Sequence, residues 1–76
     1  MRWPKKGTRV HVEWLDPAIY TMDDLSSAIP CECWTEGTIV KKSKNYVVIA
    51  NSQYKDGSGD FTVLVKGCVT KVTQMI

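Results

Sequence analysis

The stretch at residues 33–52, CWTEGTIVKKSKNYVVIANS, decides the fold because it is typical of two strands joined by a tight polar turn. β-branched and aromatic residues crowd both arms, at 38–40 and 46–50, and such residues pack well on a pleated surface. The turn at 42–45 contains Asn45, which can take the positive-φ position that such turns often need. An isolated hairpin is marginal in water, so this one predicts partner strands.

Period-two patterns on both sides of this hairpin supply those strands. Residues 8–14 alternate apolar and polar side chains, which predicts a half-buried strand with Val10, Val12 and Trp14 on one face. Residues 31–42 form one long strand, and the glycine inside it, Gly37, predicts a bulge or sharp bend. The second arm of the hairpin extends through residue 52.

Two further strands follow a glycine-rich turn at 54–60, which we interpret as a hairpin loop rather than a phosphate-binding loop because it lacks Walker spacing and a following helix. Residues 61–66 alternate again, with Phe61, Val63 and Val65 on one face, and residues 69–75 form a short last strand. The two-residue gap between them is too short for a parallel crossover, so these strands run antiparallel or bend into a second sheet.

Five short strands, four of them linked by tight turns, and no long helix predict an all-β fold, a small five-stranded antiparallel barrel. The 76 residues form one domain, 1–76, with a short N-terminal arm at 1–6. Residues 15–30 are the irregular part, where Asp16-Pro17 ends the first strand. Asp23 or Asp24 can cap one helical turn before Pro30 stops it. We favour a cover over one open end of the barrel, with direct ligand contact as the alternative.

Composition narrows the classes of protein. No apolar run approaches the roughly 20 residues of a membrane span, and the first residues lack the apolar segment of a secretory signal. Three cysteines, an odd number, fit a cytosolic protein better than a disulfide scaffold. The net charge is +2, with basic residues at the start of the chain and an acidic segment at 13–36. This overall charge is less basic than that expected of a dedicated nucleic-acid binder.

The residues that carry chemistry form no catalytic or metal pattern. Cys31 and Cys33 point to one face of a strand, and with Cys68 and His11 they are the potential zinc ligands of the chain. A cysteine pair with a single intervening residue on a strand is, however, a poor match to structural zinc sites. We interpret all three as core cysteines, with no metal and no cofactor. His11 has Glu13 on its own face, so a surface pair is favoured, and no nucleophile, acid or base is selected. The chain is therefore predicted not to be an enzyme.

Trp34 is the aromatic residue with the most open interpretation. It is adjacent to Cys33 and faces the other way, so buried cysteines imply an exposed indole. Such a side chain serves a protein interface, a stacked base or plain surface equally well. The lysines at 41, 42 and 44 favour a solvated turn over a phosphate contact.

Four motifs together resemble a group of small bacteriophage and prophage proteins: Val12-x-Trp14-x-Asp16, Cys33-x-x-x-Gly37, Val48-Ile49-Ala50-x-Ser52 and Val65-Lys66-Gly67-Cys68-Val69. The resemblance covers residues 10–73, although a proline typical of the group before the lysine is Val65 here. It implies a Src-homology-3-like or Sm-like barrel in the host cytoplasm, of the kind that sequesters nucleotide signals of bacterial immunity by stoichiometric binding.

That resemblance implies a non-enzymatic anti-defence sponge that binds a small, cyclic nucleotide between subunits of a homo-oligomer. Aromatic residues would stack on the base, a lysine would meet phosphate, and small polar residues would read base or ribose edges. The expected ligand-binding residues are Trp14, Asp16, Trp34, Thr35, Asn51, Ser52 and Lys66. The alternative is a protein- or nucleic-acid-interaction barrel that inhibits or recruits a host machine. A structural subunit of the virion is a third interpretation.

Overall fold

The computed structural model describes residues 2–17 and 29–76, and these form one antiparallel sheet of five strands. The strand order is β4-β3-β2-β1-β5, so the fifth strand returns to lie beside the first. A 3-10 turn, Lys66–Cys68, joins the last two strands. The strands are β1 (Arg9–Asp16), β2 (Cys31–Lys42), β3 (Tyr46–Gln53), β4 (Gly59–Val65) and β5 (Val69–Gln74).

The all-β, five-stranded antiparallel prediction is confirmed, and each strand lies within about two residues of its predicted bounds. β4 and β5 are the two edges, and the sheet is not closed between them. β1 ends at Asp16 as the following proline requires. The possible helical turn near Asp23 and Asp24 lies outside the described residues. Within the described ranges, no helix is long and apolar enough to cross a membrane.

The long strand β2 changes neighbours along its length. Residues 31–38 pair with β1, and residues 38–42 pair with β3. The register shifts between Ile39 and Lys41, so the bulge lies at Val40 and not at Gly37, where a bulge or sharp bend was predicted. Gly37 instead lies where the backbone of β3 approaches closely: a Cβ there would meet the Ala50 carbonyl oxygen and stand 2.7 Å from a methyl carbon of Ile49.

The β2–β3 turn closes without left-handed backbone. In the described part of the chain only Gly7 and Gly57 have positive φ, so the prediction of positive φ at Asn45 is wrong. The turn is held by the Ser43 N–H, which donates to the Tyr46 carbonyl at 2.9 Å, and by the Lys66 N–H, which donates to the Asn45 carbonyl at 2.8 Å. These two hydrogen bonds give the Asn45 and Tyr46 carbonyls their donors, so the backbone groups of the turn are satisfied without a left-handed residue.

The core lies on one side of the sheet and draws on all five strands. Val10 and Val12 are buried as predicted, and Trp14 packs against them. Phe61, Val63 and Val65 share a face as predicted, but that face points to solvent. Leu64, only 3% exposed, fills the core from β4 instead. The fully enclosed side chains are Val10, Val12, Ile39, Val47 and Ile49.

The β3–β4 connection is a hairpin loop, as predicted. The Tyr54 N–H donates to the Ser58 carbonyl at 2.7 Å, and the Gly57 N–H donates to the Tyr54 carbonyl at 3.0 Å. Gly57 takes a φ of +90°, which side-chain-bearing residues rarely adopt. Asp56 accepts from both the backbone N–H and the hydroxyl of Ser58. These hydrogen bonds lower the pKa of the Asp56 carboxyl.

Candidate functional site

The outer face of β1 and β2 presents an aromatic residue supported by an imidazole and a carboxylate. The His11 ring stacks on the Trp34 indole with centroids 5.5 Å apart and planes 22° apart. His11 Nδ1 lies 2.7 Å from Glu36 Oε2. Since a carboxylate only accepts hydrogen bonds, Nδ1 carries the proton of this bond.

The partner of His11 differs from the prediction. Its partner is Glu36 on β2 and not Glu13 on its own strand, because the register places His11 directly opposite Glu36. Side chains opposite each other across an antiparallel pair have Cβ atoms about 5 Å apart, closer than two residues on one strand face. The alternation pattern of β1 contains no information on this register, and it therefore pointed to the nearer residue along the chain, Glu13.

Trp34 is 65% exposed even with His11 against it. Stacking on His11, which is itself bonded to Glu36, restricts rotation of the Trp34 side chain. We call the exposed surface of this supported indole the Trp34 platform. Such a platform suits stacking of a planar group, because the orientation of the ring is set before binding. This is the strongest local feature of the outer face.

A shallow recess of about 240 Å³ opens on the sheet where β3 leaves β2. Asn51 spans the gap: its amide N–H donates to the Glu36 carbonyl at 3.1 Å, and its side-chain oxygen accepts from the Thr62 hydroxyl at 2.7 Å. The Ser52 hydroxyl donates to Asp60 at 3.0 Å. The recess is lined by Arg9, Gly37, Thr38, Ala50, Asn51, Ser52 and Gln53.

This recess is polar, and the one cationic side chain among the described residues that line it is Arg9, which was not among the predicted ligand-binding residues. Guanidinium groups suit phosphate and carboxylate recognition because their donors form a planar fork. Asn51 and Ser52 are both present, as the predicted site requires, but each already bonds to a protein partner. Arg9 lies opposite Thr38 in the register of β1 against β2, and no pattern along the chain states that register.

Trp14 and Thr35 meet on the other side of the sheet from Trp34. The Trp14 indole N–H donates to the Thr35 hydroxyl at 3.0 Å, and Thr35 is only 8% exposed. A cavity of about 340 Å³ adjoins this pair, lined by Glu13, Trp14, Leu15, Glu32, Cys33 and Thr70. Within one chain this bond anchors β1 to β2 beneath the platform.

The last two predicted site residues lie at different ends of the sheet. Asp16 is exposed at the end of β1, opposite Cys31. Lys66 is half-buried in the 3-10 turn, and its backbone is bonded to Asn45 beyond the far end of β2. The structure therefore groups Trp14 with Thr35 and Asn51 with Ser52, and it leaves Trp34, Asp16 and Lys66 separate. Their ligand-binding roles stay predictions.

The cysteines are not core residues, so that interpretation is wrong. Cys31 is exposed, Cys33 and Cys68 are half-buried, and all three are free thiols. The Cys31 and Cys33 sulfurs stand 3.8 Å apart, with Cys33 as donor. Desolvation, this hydrogen bond and electrostatic interactions with Cys31 and Asp16 raise the pKa of the Cys33 thiol. Across residues 2–17 and 29–76, no three or more His, Cys, Asp or Glu side chains form a group that could hold a metal ion.

The lysine-rich turn is partly engaged by the protein itself. Lys41 Nζ lies 5.5 Å from the centre of the Tyr46 ring, a cation–π arrangement. Hydrogen bonds from Lys41 and then Ser43 lower the pKa of the Tyr46 hydroxyl. These contacts agree with the interpretation of a structural, solvated turn.

Comparisons with known proteins gave no significant match: no family model fits the chain, and none was found among curated proteins or solved structures. The geometry of the chain therefore has to support any functional assignment.

Proposed function

We propose that the chain is a Src-homology-3-like or Sm-like barrel, with the curvature concentrated in β2. The support is the change of neighbours along β2, from β1 at its start to β3 at its end, with a bulge at Val40. Strands that pass from one neighbour to another through a bulge form the corners of curled sheets. In this proposal the fifth strand, which lies beside the first, continues the same curl.

The barrel is a non-enzymatic binding module of phage type that sequesters a small nucleotide signal in the host cytoplasm. The observation that carries this proposal is the Trp34 platform, exposed and held by His11. Stacking of a base on an aromatic side chain is worth about 1–3 kcal/mol and needs no catalytic group. Arg9 lines the recess and is two residues from His11 on β1, so both side chains leave the same face and the guanidinium can meet a phosphate there.

The predicted site residues take unequal parts in this proposal. Trp34 carries the base, and the small polar residues of the recess read ribose or base edges. Trp14 and Thr35 position β2 through their mutual bond. Asp16 and Lys66 lie towards opposite ends of β2, so they contact a ligand only if it lies between copies of the chain. A homo-oligomer is therefore part of the proposal.

The test is a titration of a panel of cyclic and linear nucleotides by calorimetry. We expect one or more to bind, and Trp34→Ala to weaken that binding at least about tenfold, since a tenfold loss corresponds to about 1.4 kcal/mol. Tyr54→Ala is the matched control, because Tyr54 is also a strongly exposed aromatic but lies in the β3–β4 loop.

Both variants should unfold at the temperature of the wild type, since neither removes a core side chain. Failure of every nucleotide to bind, or equal losses in both variants, would overturn the proposal.

A second candidate is a barrel that binds a protein partner along β4. The observation that favours it is the outward row Phe61, Val63 and Val65 on an edge strand. Extended peptides add to such edges through main-chain hydrogen bonds, and apolar side chains supply affinity. In this candidate Trp34→Ala leaves function unchanged and Val63→Lys abolishes it. A nucleic-acid version would lose affinity steeply with salt, with a logarithmic slope of about −0.9 per phosphate neutralised.

A further inference from the structure

The two thiols at the start of β2 have a sulfur–sulfur distance that fits two ligands of one metal ion, although their spacing along the sequence is unusual for a structural zinc site. Cys31 and Cys33 are two residues apart on one strand, so both side chains leave the same face. Their sulfurs stand 3.8 Å apart. Zinc–thiolate bonds are about 2.3 Å long, and two of them at a tetrahedral angle place their sulfurs about 3.8 Å apart. The pair therefore closes on a tetrahedral cation without a change in sulfur separation.

This pair is half of a site. Structural zinc takes four protein ligands, and within the described ranges no third His, Cys, Asp or Glu joins the two thiols in a metal-binding group. Cys31 is exposed and Cys33 is half-buried, so the open side of the pair is accessible from outside the chain. The missing ligands can come from an identical pair related by a twofold axis, which is the commonest symmetry of protein dimers.

We propose that Cys31 and Cys33 of two copies together hold one Zn²⁺ in a four-thiolate site that links the chains. The thiols are not among the residues that line the Arg9 recess or form the Trp34 platform, so the metal site is argued from observations separate from those behind the sponge proposal.

The surrounding charge favours a cation. Asp16 lies opposite Cys31 in the register, and Glu32 separates the two cysteines along β2. On binding, each of the four thiols gives its proton to solvent, and four zinc–sulfur bonds replace the bonds to the ion's hydration waters, all of which are released.

The test is titration of the reduced, chelator-treated chain with Co²⁺, followed by displacement with Zn²⁺. Tetrahedral thiolate ligation gives a cobalt–sulfur charge-transfer band in the near ultraviolet together with visible ligand-field bands. We expect both to saturate at one metal per two chains, and sedimentation in Zn²⁺ to show a dimer that reverts on chelation. Cys31→Ser and Cys33→Ser should each lose the bands and the metal-dependent dimer.

Cys68→Ser is the matched control, because Cys68 is a half-buried thiol in the 3-10 turn and should leave both signals unchanged. Saturation at one metal per chain in a monomer would overturn the shared site. Absence of the charge-transfer band in the wild type, or its loss in the Cys68 variant alone, would overturn the role of the pair. Nucleotide binding measured in chelator separates this result from the fate of the sponge proposal.

Discussion

Gly37 lies at the position where the backbones of β2 and β3 come closest. A Cβ at this residue would meet the Ala50 carbonyl oxygen and stand 2.9 Å from the Ala50 carbonyl carbon, and backbone atoms cannot rotate away. Because overpacking of this kind costs about 1–3 kcal/mol, Gly37→Ala should lower the free energy of unfolding by that amount. Urea denaturation followed by tryptophan fluorescence measures the change.

Gly67→Ala is the control for this substitution, since a Cβ at Gly67 meets nothing within 4 Å. Its free energy of unfolding should stay the same or rise slightly, because alanine restricts the unfolded chain. Equal destabilisation by both substitutions would show that close approach is not what selects glycine at residue 37. The alternation pattern of β2 signals that this glycine is unusual, but the reason lies in β3, which no local pattern reports.

The partner of His11, like the reason for a glycine at residue 37, lies in another strand and is not indicated by a local sequence pattern. The exposure of His11 follows from alternation with Val10 and Val12, and alternation was sufficient to predict that face. The identity of its partner depends on the register of β1 against β2, which places Glu36 opposite. Pairing across strands is a property of the assembled sheet, so a single sequence names candidates for the pair without choosing among them.

At the level of elements, all five strands were predictable because β-branched residues alternate and glycine, proline or asparagine separates the runs. The orientation of β4 was not. Three apolar residues on one face outnumber Leu64 on the other, yet Leu64 lies opposite Val47 and enters the core. The register set by β3 therefore overrides the local count of apolar residues.

The β3–β4 loop carries a pH-sensitive contact. Hydrogen bonds from Ser58 lower the pKa of Asp56, so this carboxylate stabilises the loop above the unfolded-state pKa and loses that contribution as pH falls through the lower, folded-state pKa. The Ser58 amide resonance should titrate with a midpoint below about 3.9, the value of an unperturbed aspartate. NMR spectra over that pH range measure the midpoint.

Asp56→Ala removes the acceptor, so the Ser58 amide in this variant should show no such transition. Persistence of the transition in Asp56→Ala would assign it to another carboxyl group. The loop was predicted as a hairpin connection from its glycines, and the aspartate-to-serine bonds follow from the common tendency of Asp to bond the backbone two residues on.

For the whole molecule, the candidate site was predicted less well than the fold. Trp34 is exposed as its opposition to Cys33 indicated, although the premise that the cysteines are buried was wrong. Arg9 lines the recess because β3 separates from β2 beside it. A binding surface of this size depends on which strands become neighbours, and a motif order along the chain does not state that.

The two edges of the sheet lead to a prediction about assembly. β4 is an edge strand whose outward row includes Val63, 63% exposed, and a second copy can pair with it to continue the sheet and bring the two apolar rows side by side. We expect the chain to associate in a concentration-dependent manner in chelator, where the zinc-linked dimer does not form. Val63→Lys should weaken this association at least about tenfold, since it places charge on the edge and near its own copy across the twofold axis. Thr73→Lys is the control, because it adds the same charge to the exposed surface of the other edge strand, β5. Sedimentation velocity over a concentration series measures both variants against the wild type. A wild type that stays monomeric at every concentration, or equal effects of the two lysines, would exclude self-pairing through β4 and leave the row to a different protein partner.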